Sequence, residues 1–274
     1  MPLMRAERGI VGGAVAVVLA AGLSACATGG TVTVTPPTSA GTTSAATHTT
    51  STGSASVATG AVPDATTLVH EARSAYRSAK SAHLHATLTS DGVTQTIDIR
   101  GTLDGTNQQL TLDDPGQGDA TVRTVDGKYY VKGDKTFWKT AAKGHSDATT
   151  ALLANRWVLA PNDSSADFAK LTIRHVLDDM IGPAAIGDSD TAQMTTSAAS
   201  QAGVNLFVAI SRSATASVDT LKVLAADPHN VVQVTGASTD GSDGTANFDG
   251  WNTQAVVTVP QGYLNLSGQD GTTT

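Results

Sequence analysis

Val122-Arg123-Thr124-Val125-Asp126-Gly127-Lys128-Tyr129-Tyr130-Val131-Lys132 reads as a β-hairpin. Two short runs rich in β-branched and aromatic residues flank Asp126-Gly127, and that dipeptide suits a two-residue type I′ turn, whose central residues need positive φ. The same logic extends upstream. His83-Leu84-His85-Ala86-Thr87-Leu88-Thr89 alternates strictly, Ser90-Asp91-Gly92 turns the chain, and Thr96-Ile97-Asp98-Ile99-Arg100 alternates again. Asp104-Gly105 and Pro115-Gly116 mark two further turns. Strands joined by tight turns make an antiparallel meander. Because side chains alternate between the two faces of a strand, Leu84, Ala86, Leu88, Ile97, Ile99, Leu110 and Leu112 share one apolar face of it.

Outside the meander the period changes. Before it, Pro63 and Asp64 open a helix in which Leu68, Ala72, Ala75, Tyr76 and Ala79 recur at helical spacing, with Arg73, Arg77 and Lys80 expected to face away. After it, the stretch from Asp147 to Gly182 reads as helical. Leu152-Leu153 precedes Arg156-Trp157, Asn162-Asp163-Ser164 separates two short helices, and Phe168, Leu171, Val176, Leu177 and Ile181 are spaced by threes and fours until Gly182-Pro183 stops the second. Strand signals then return at Val204 to Ile210, Leu221 to Ala225, Val231 to Thr235, Ala246 to Phe248 and Val256 to Val259. Asp227-Pro228-His229-Asn230 and Asp240-Gly241 supply turns between them. Helix, strands, helices, strands is the order of an α+β domain, an antiparallel sheet with helices on one face.

The N-terminal quarter is of another kind. Arg5 and Arg8 precede a charge-free run from Gly9 to Ala25 centred on Ala14-Val15-Ala16-Val17-Val18-Leu19, the layout of a secretory signal peptide. The run is short and glycine-containing for a helix that must cross a bilayer with about 20 apolar residues. It ends in Leu23-Ser24-Ala25-Cys26, and Cys26 is the single cysteine in 274 residues. From Ala27 to Val62, 17 of 36 residues are Ser or Thr and none is acidic, lysine or arginine, so nothing there can form a core. A flexible coil of that length reaches roughly 30 to 36 Å end to end. Pro36-Pro37 within a Thr-rich run suits both a bare spacer and an O-glycosylated one. The chain thus divides into a leader (1–25), a tether beginning at Cys26 (26–62), a folded domain (63–266) and a polar tail (267–274). Loss of the leader takes the formal charge from −7 to −8, since Arg5, Glu7 and Arg8 go with it.

Net negative charge gives no cationic field for phosphate backbones, so nucleic acid is not an expected partner. One cysteine excludes an internal disulfide, a cysteine-rich zinc site and a CxxC redox pair. No GxSxG elbow, SxxK pair, P-loop or GxGxxG occurs, so neither acyl-transfer chemistry nor nucleotide binding has a motif. His83 and His85 form an HxH pair that a metal site would have to complete with ligands from elsewhere, and the alternation places them on the polar outer face. Asp188-Ser189-Asp190 and Asp240-Gly241-Ser242-Asp243-Gly244 lack the ligand spacing and terminal Glu of a calcium loop and read as turns. Asp178-Asp179 reads as a solvated helix pair, with paired-carboxylate catalysis as its rival. No cofactor, metal or catalytic residue is expected. A one-sided apolar sheet under Ala-rich helices suits both an internal cavity and an ordinary filled core, and periodicity does not choose between them.

Leu23-Ser24-Ala25-Cys26 resembles the lipobox of bacterial lipoproteins, in which the cysteine sulfur is linked to a diacylglycerol. The order of further signals resembles the LppX/LprG-type lipoproteins of mycobacteria and related actinobacteria, which are similar in fold to the LolA/LolB lipoprotein carriers. Those signals are the first helix running into Ser81-Ala82-His83-Leu84, the Val125 to Gly133 hairpin with Trp138, Arg156-Trp157 after a short helix, and a final strand closing on Pro260. The resemblance implies an antiparallel β half-barrel whose concave face, lidded by helices, holds the acyl chains of a lipid or lipoglycan. It further implies lipid attachment at Cys26, a place on the extracytoplasmic face of the cell membrane, and an envelope transporter as partner. Leu84, Ala86, Leu88, Ile97, Ile99, Leu110 and Leu112 would then line the ligand. The rival readings are a sensory or protein-interaction lipoprotein of the same fold without bound lipid, and a secreted hydrolase.

Overall fold

Helix α1 (Ala65–Ser78) starts where Asp64 accepts a hydrogen bond from the Thr67 amide at 3.0 Å, and it buries Leu68, Val69, Ala72, Ala75 and Tyr76 on one side. It opens the folded part of a computed structural model that describes residues 61–141, 146–160, 168, 170–213, 218–237 and 242–265. The leader, Cys26, the tether up to Gly60, Asn162-Asp163-Ser164, Asp240-Gly241, Leu266 and the polar tail lie outside the described residues.

The meander follows as β1 (Ser81–Ser90), β2 (Val93–Thr102), β3 (Asn107–Asp113), β4 (Ala120–Val125) and β5 (Lys128–Gly133), each antiparallel to the one before. Asp126 and Gly127 adopt φ of 51° and 71°, the pair of left-handed conformations that a type I′ turn requires. Helices α2 (Lys135–Ala141) and α3 (Asp147–Leu153) come next, then β6 (Trp157–Leu159), α4 (Ile173–Ile181) and α5 (Asp188–Thr191). The chain ends in β7 (Met194–Gln201), β8 (Val204–Ser211), β9 (Thr220–Leu224), β10 (Val231–Ala237), β11 (Asp243–Asp249) and β12 (Leu264–Asn265).

All twelve strands form one sheet in the order β12-β6-β5-β4-β3-β2-β1-β11-β10-β9-β8-β7. Its seam is β1 against β11, where Leu84 sits opposite Phe248 and Ala86 opposite Ala246. The two meanders are thereby sewn edge to edge, and the outer strands β12 and β7 do not meet, so the sheet is open. Among the described residues only β12 against β6 is parallel. This is the expected α+β half-barrel with its helices on one face.

Five local readings change. Arg73 does not face away from α1 but is 94% buried, for a reason given below. Trp157–Leu159 is a strand inside the stretch read as helical, because it completes the ladder of β5 through Val131 opposite Val158. Lys135–Ala141 is helical without having been expected so, and Asp134 starts it by accepting from the Phe137 amide at 2.6 Å. Met194–Gln201 is a strand with no apolar alternation, since as an edge it is mostly exposed on both faces. Val256 to Val259 makes no ladder; it is held by side chains instead, with Asn107 Nδ2 donating to Val257 O at 2.9 Å and Val257 N donating to Asn107 Oδ1 at 2.8 Å. The closing strand is therefore Leu264–Asn265, beyond Pro260.

Candidate functional site

Cross-strand register arranges the concave face in rows. One row runs from Phe248 through Leu84, Ile99, Leu110, Val122 and Val131 to Val158. The next runs from Ala209 through Leu221, Val234, Ala246, Ala86, Ile97 and Leu112 to Ala120. The first row is bulky throughout, whereas the second sets alanines at Ala209, Ala246, Ala86 and Ala120 among larger residues, all of them buried. Leu84, Ala86, Ile97, Ile99, Leu110 and Leu112 belong to one continuous core, with Leu88 packed against it. Along β1, Leu84 is 1% and Ala86 8% accessible, and Leu88 is half-buried.

Two helices cover this floor. α1 contributes Leu68, Val69, Ala72 and Tyr76, and α4 contributes Ile173, Leu177 and Ile181, each fully covered. Polar contacts hold them together. Arg73 of α1 donates from Nε to Ile181 O at 2.7 Å and from Nη2 to Gly182 O at 3.2 Å and Ile186 O at 2.5 Å. These are carbonyls at and beyond the C-terminal end of α4, where backbone acceptors lack helical partners and a cation is favoured. Burial pulls the Arg73 guanidinium below its ordinary pKa, while Asp188 and the neighbouring Tyr76 push the other way. Nearby, the Tyr76 hydroxyl donates to Asp178 Oδ1 at 2.6 Å; its pKa is pushed up to about 12, first by burial and then by the Asp178 carboxylate.

The lid is also tied to the sheet. Gln108 Nε2 donates to Leu171 O at 2.6 Å and Arg174 N to Leu103 O at 3.0 Å, fixing the start of α4 to the β2–β3 connection. At the opposite side Thr196 Oγ1 donates to Pro63 O at 2.7 Å, fixing the entrance of α1 to β7.

The other singled-out residues are committed elsewhere. His83, on the outer face, places Nε2 2.8 Å from Asp98 and Nδ1 3.0 Å from Asp249; His85 Nδ1 lies 3.5 Å from Asp98. With a carboxylate at each ring nitrogen His83 has no lone pair to offer a metal, and among the described residues no group of three or more His, Cys, Asp or Glu is arranged to hold one. Burial lowers the His83 pKa, but hydrogen bonds and charge from Asp98 and Asp249 together outweigh it and leave the value raised. Asp178 accepts from Tyr76 while Asp179 faces His175 at 3.4 Å, so the two carboxylates serve different partners. Asp190 of the Asp188-Ser189-Asp190 run accepts from the Gly187 amide at 2.8 Å, as turn chemistry requires.

Arg73 is the residue that sequence reasoning misplaced. At 100° per residue it lies on the flank of the apolar stripe, with Arg77 and His70 beyond it, and pattern alone assigns a flank arginine to solvent. The signal that would have found it is the fold's own: a helix C-terminus lying beside it.

No family model matches the chain, and no curated protein matches it in sequence. Among solved structures it is similar to the Mycobacterium tuberculosis lipoprotein LppX, at 10% identity and TM-score 0.41 over 71% of this chain and 98% of that one. It is also similar to LprF from Mycobacterium bovis, at 13% identity and TM-score 0.45 over 72% and 96%. A LolA superfamily protein from Nitrosomonas europaea follows at 6% identity and TM-score 0.23, over 72% and 96%.

Proposed function

We propose that this chain is a non-enzymatic, membrane-tethered protein that binds the acyl chains of a lipid or lipoglycan on the concave face of its sheet and carries or presents them at the cell envelope. The observation that carries this reading is the pairing of a largely apolar inward sheet face with a separate two-helix cover, in a chain with a lipobox-like Leu23-Ser24-Ala25-Cys26. Small residues in the second row leave room for methylene chains once α1 and α4 shift. Each buried methylene contributes about 0.8 kcal/mol, enough in sum to offset the polar contacts that hold the lid.

Cys26, acylated, would hold the protein on the extracytoplasmic face, and the tether would let the groove reach the headgroup layer and an envelope transporter. Among the described residues no helix is long and apolar enough to cross a membrane. The test is extraction of lipid from the purified chain followed by mass spectrometry, with uptake of a fluorescent fatty acid as a second readout. Co-purified diacyl lipid supports the reading; a chain consistently empty and without saturable uptake overturns it.

One observation favours a second reading, a sensory or protein-interaction lipoprotein with a filled core. Leu84, Ile99 and Leu110 are already covered by protein to within 2%. Under that reading lipid extraction yields nothing and a partner protein is cross-linked at the outer surface.

A further inference from the structure

On the side of α1 turned from the sheet, His70, Arg73, Ser74, Arg77 and Ser78 form one wall of an open cleft of about 510 Å³, with Pro183 on the other side. That volume is in the range of about 300 to 1,000 Å³ typical of small-ligand sites. None of these six residues is acidic. The domain from 63 to 266 holds seven arginines, and two of them, Arg73 and Arg77, line this cleft. In a chain of formal charge −7 this is a local reversal of sign.

The donors are unevenly spent. Arg73 is 94% buried, and its Nε and Nη2 are engaged by three carbonyls, while Nη1 has no hydrogen bond among the described residues. Arg77 is exposed, with its guanidinium carbon 5.8 Å from the centre of the Tyr76 ring. The Ser78 hydroxyl donates to Ala75 O at 2.9 Å, which leaves Ser74 and His70 as the neutral donors of the cleft. Two carboxylates stand nearby: Asp178 accepts from Tyr76, which Arg77 also faces, and Asp188, at the start of α5, acts by charge on Arg73.

A rigid buried arginine with a spare nitrogen, a second arginine one turn on, and hydroxyl and imidazole donors beside them match the tetrahedral acceptor array of a phosphoryl group. We propose that this cleft binds a phosphoryl group, as the phosphodiester of a lipid headgroup or as a free phosphate. The site lies on the face of α1 opposite the sheet and is independent of whether the sheet face takes lipid.

Calorimetric titration of the full chain with inorganic phosphate and with glycerophosphoglycerol, the deacylated headgroup of phosphatidylglycerol, tests it, since neither ligand carries an acyl chain. The expected result is saturable binding of at least one ligand, weakened tenfold or more by Arg77→Gln and about threefold by His70→Gln, with unchanged circular dichroism. Tighter binding of glycerophosphoglycerol assigns the site to a lipid headgroup; tighter binding of inorganic phosphate assigns it to free phosphate. Absence of saturable binding by both ligands, or an Arg77→Gln chain that binds as well as the parent, overturns the proposal. Empty lipid extracts with intact phosphate binding would remove the acyl-binding function and leave this site standing.

Discussion

Arg73 does more to hold the lid than any other polar side chain on α1, because three carbonyls of the α4 terminus depend on one guanidinium. Arg73→Met keeps the stem's packing but strands those acceptors in a buried place. It is expected to lower the unfolding free energy by about 3 kcal/mol in urea titrations, and Arg73→Lys is expected to recover only part of it. His83 gives a pH signature of opposite kind. Its folded pKa is raised, so its ion pairs with Asp98 and Asp249 stabilise the fold fully below the unfolded value of about 6.5 and are lost as pH rises through the folded value. The stability difference between the parent and His83→Gln is therefore expected to shrink between pH 6 and pH 9, measured as urea midpoints at constant ionic strength. A difference that grows with pH would contradict this charge assignment. Neither role was legible in sequence: the carboxylates that define His83 are 15 and 166 positions away.

At the scale of elements, the hairpins were legible because their determinants are local. Gly127 has open space where a Cβ would stand, so its requirement is the left-handed φ of 71° alone. Gly127→Ala is expected to cost about 1 kcal/mol by thermal unfolding. Gly101 differs: at φ 135° an added Cβ would also strike the Asn107 carbonyl oxygen and the Gln108 backbone of the paired strand. Gly101→Ala is expected to cost about 3 kcal/mol, and equal losses at the two sites would refute the distinction. The elements that escaped the reading are those defined by partners. β7 is polar on both sides and is a strand only because β8 offers it a ladder over all eight residues. Trp157–Leu159 sits among helix formers and is drawn out by the free edge of β5. Val256 to Val259 has strand composition but finds no edge, and Asn107 fastens it by its side chain.

At the scale of the molecule, twelve strands among the described residues form a single open sheet, two helices cover its apolar face, and Thr196 pins the start of α1 to β7. Under the proposed function, anchoring through Cys26 is separate from the folded domain. Cys26→Ala is expected to move the protein from the membrane to the soluble fraction on ultracentrifugation while its urea unfolding midpoint stays within error, because Cys26 precedes the folded domain by 37 residues. A variant still fully membrane-bound would place the anchor elsewhere.

By itself the sequence determined the α+β class, the hairpins and the inward face of the meander. These rest on composition and on periods of two and 3.6, which neighbours along the chain are enough to define. The tertiary structure alone decided the seam of β1 with β11, the burial of Arg73, the ion pairs of His83 and the basic cleft behind α1. Each of these joins groups far apart in the chain, and their energies arise from exclusion of water and the meeting of charges, which depend on distance in space.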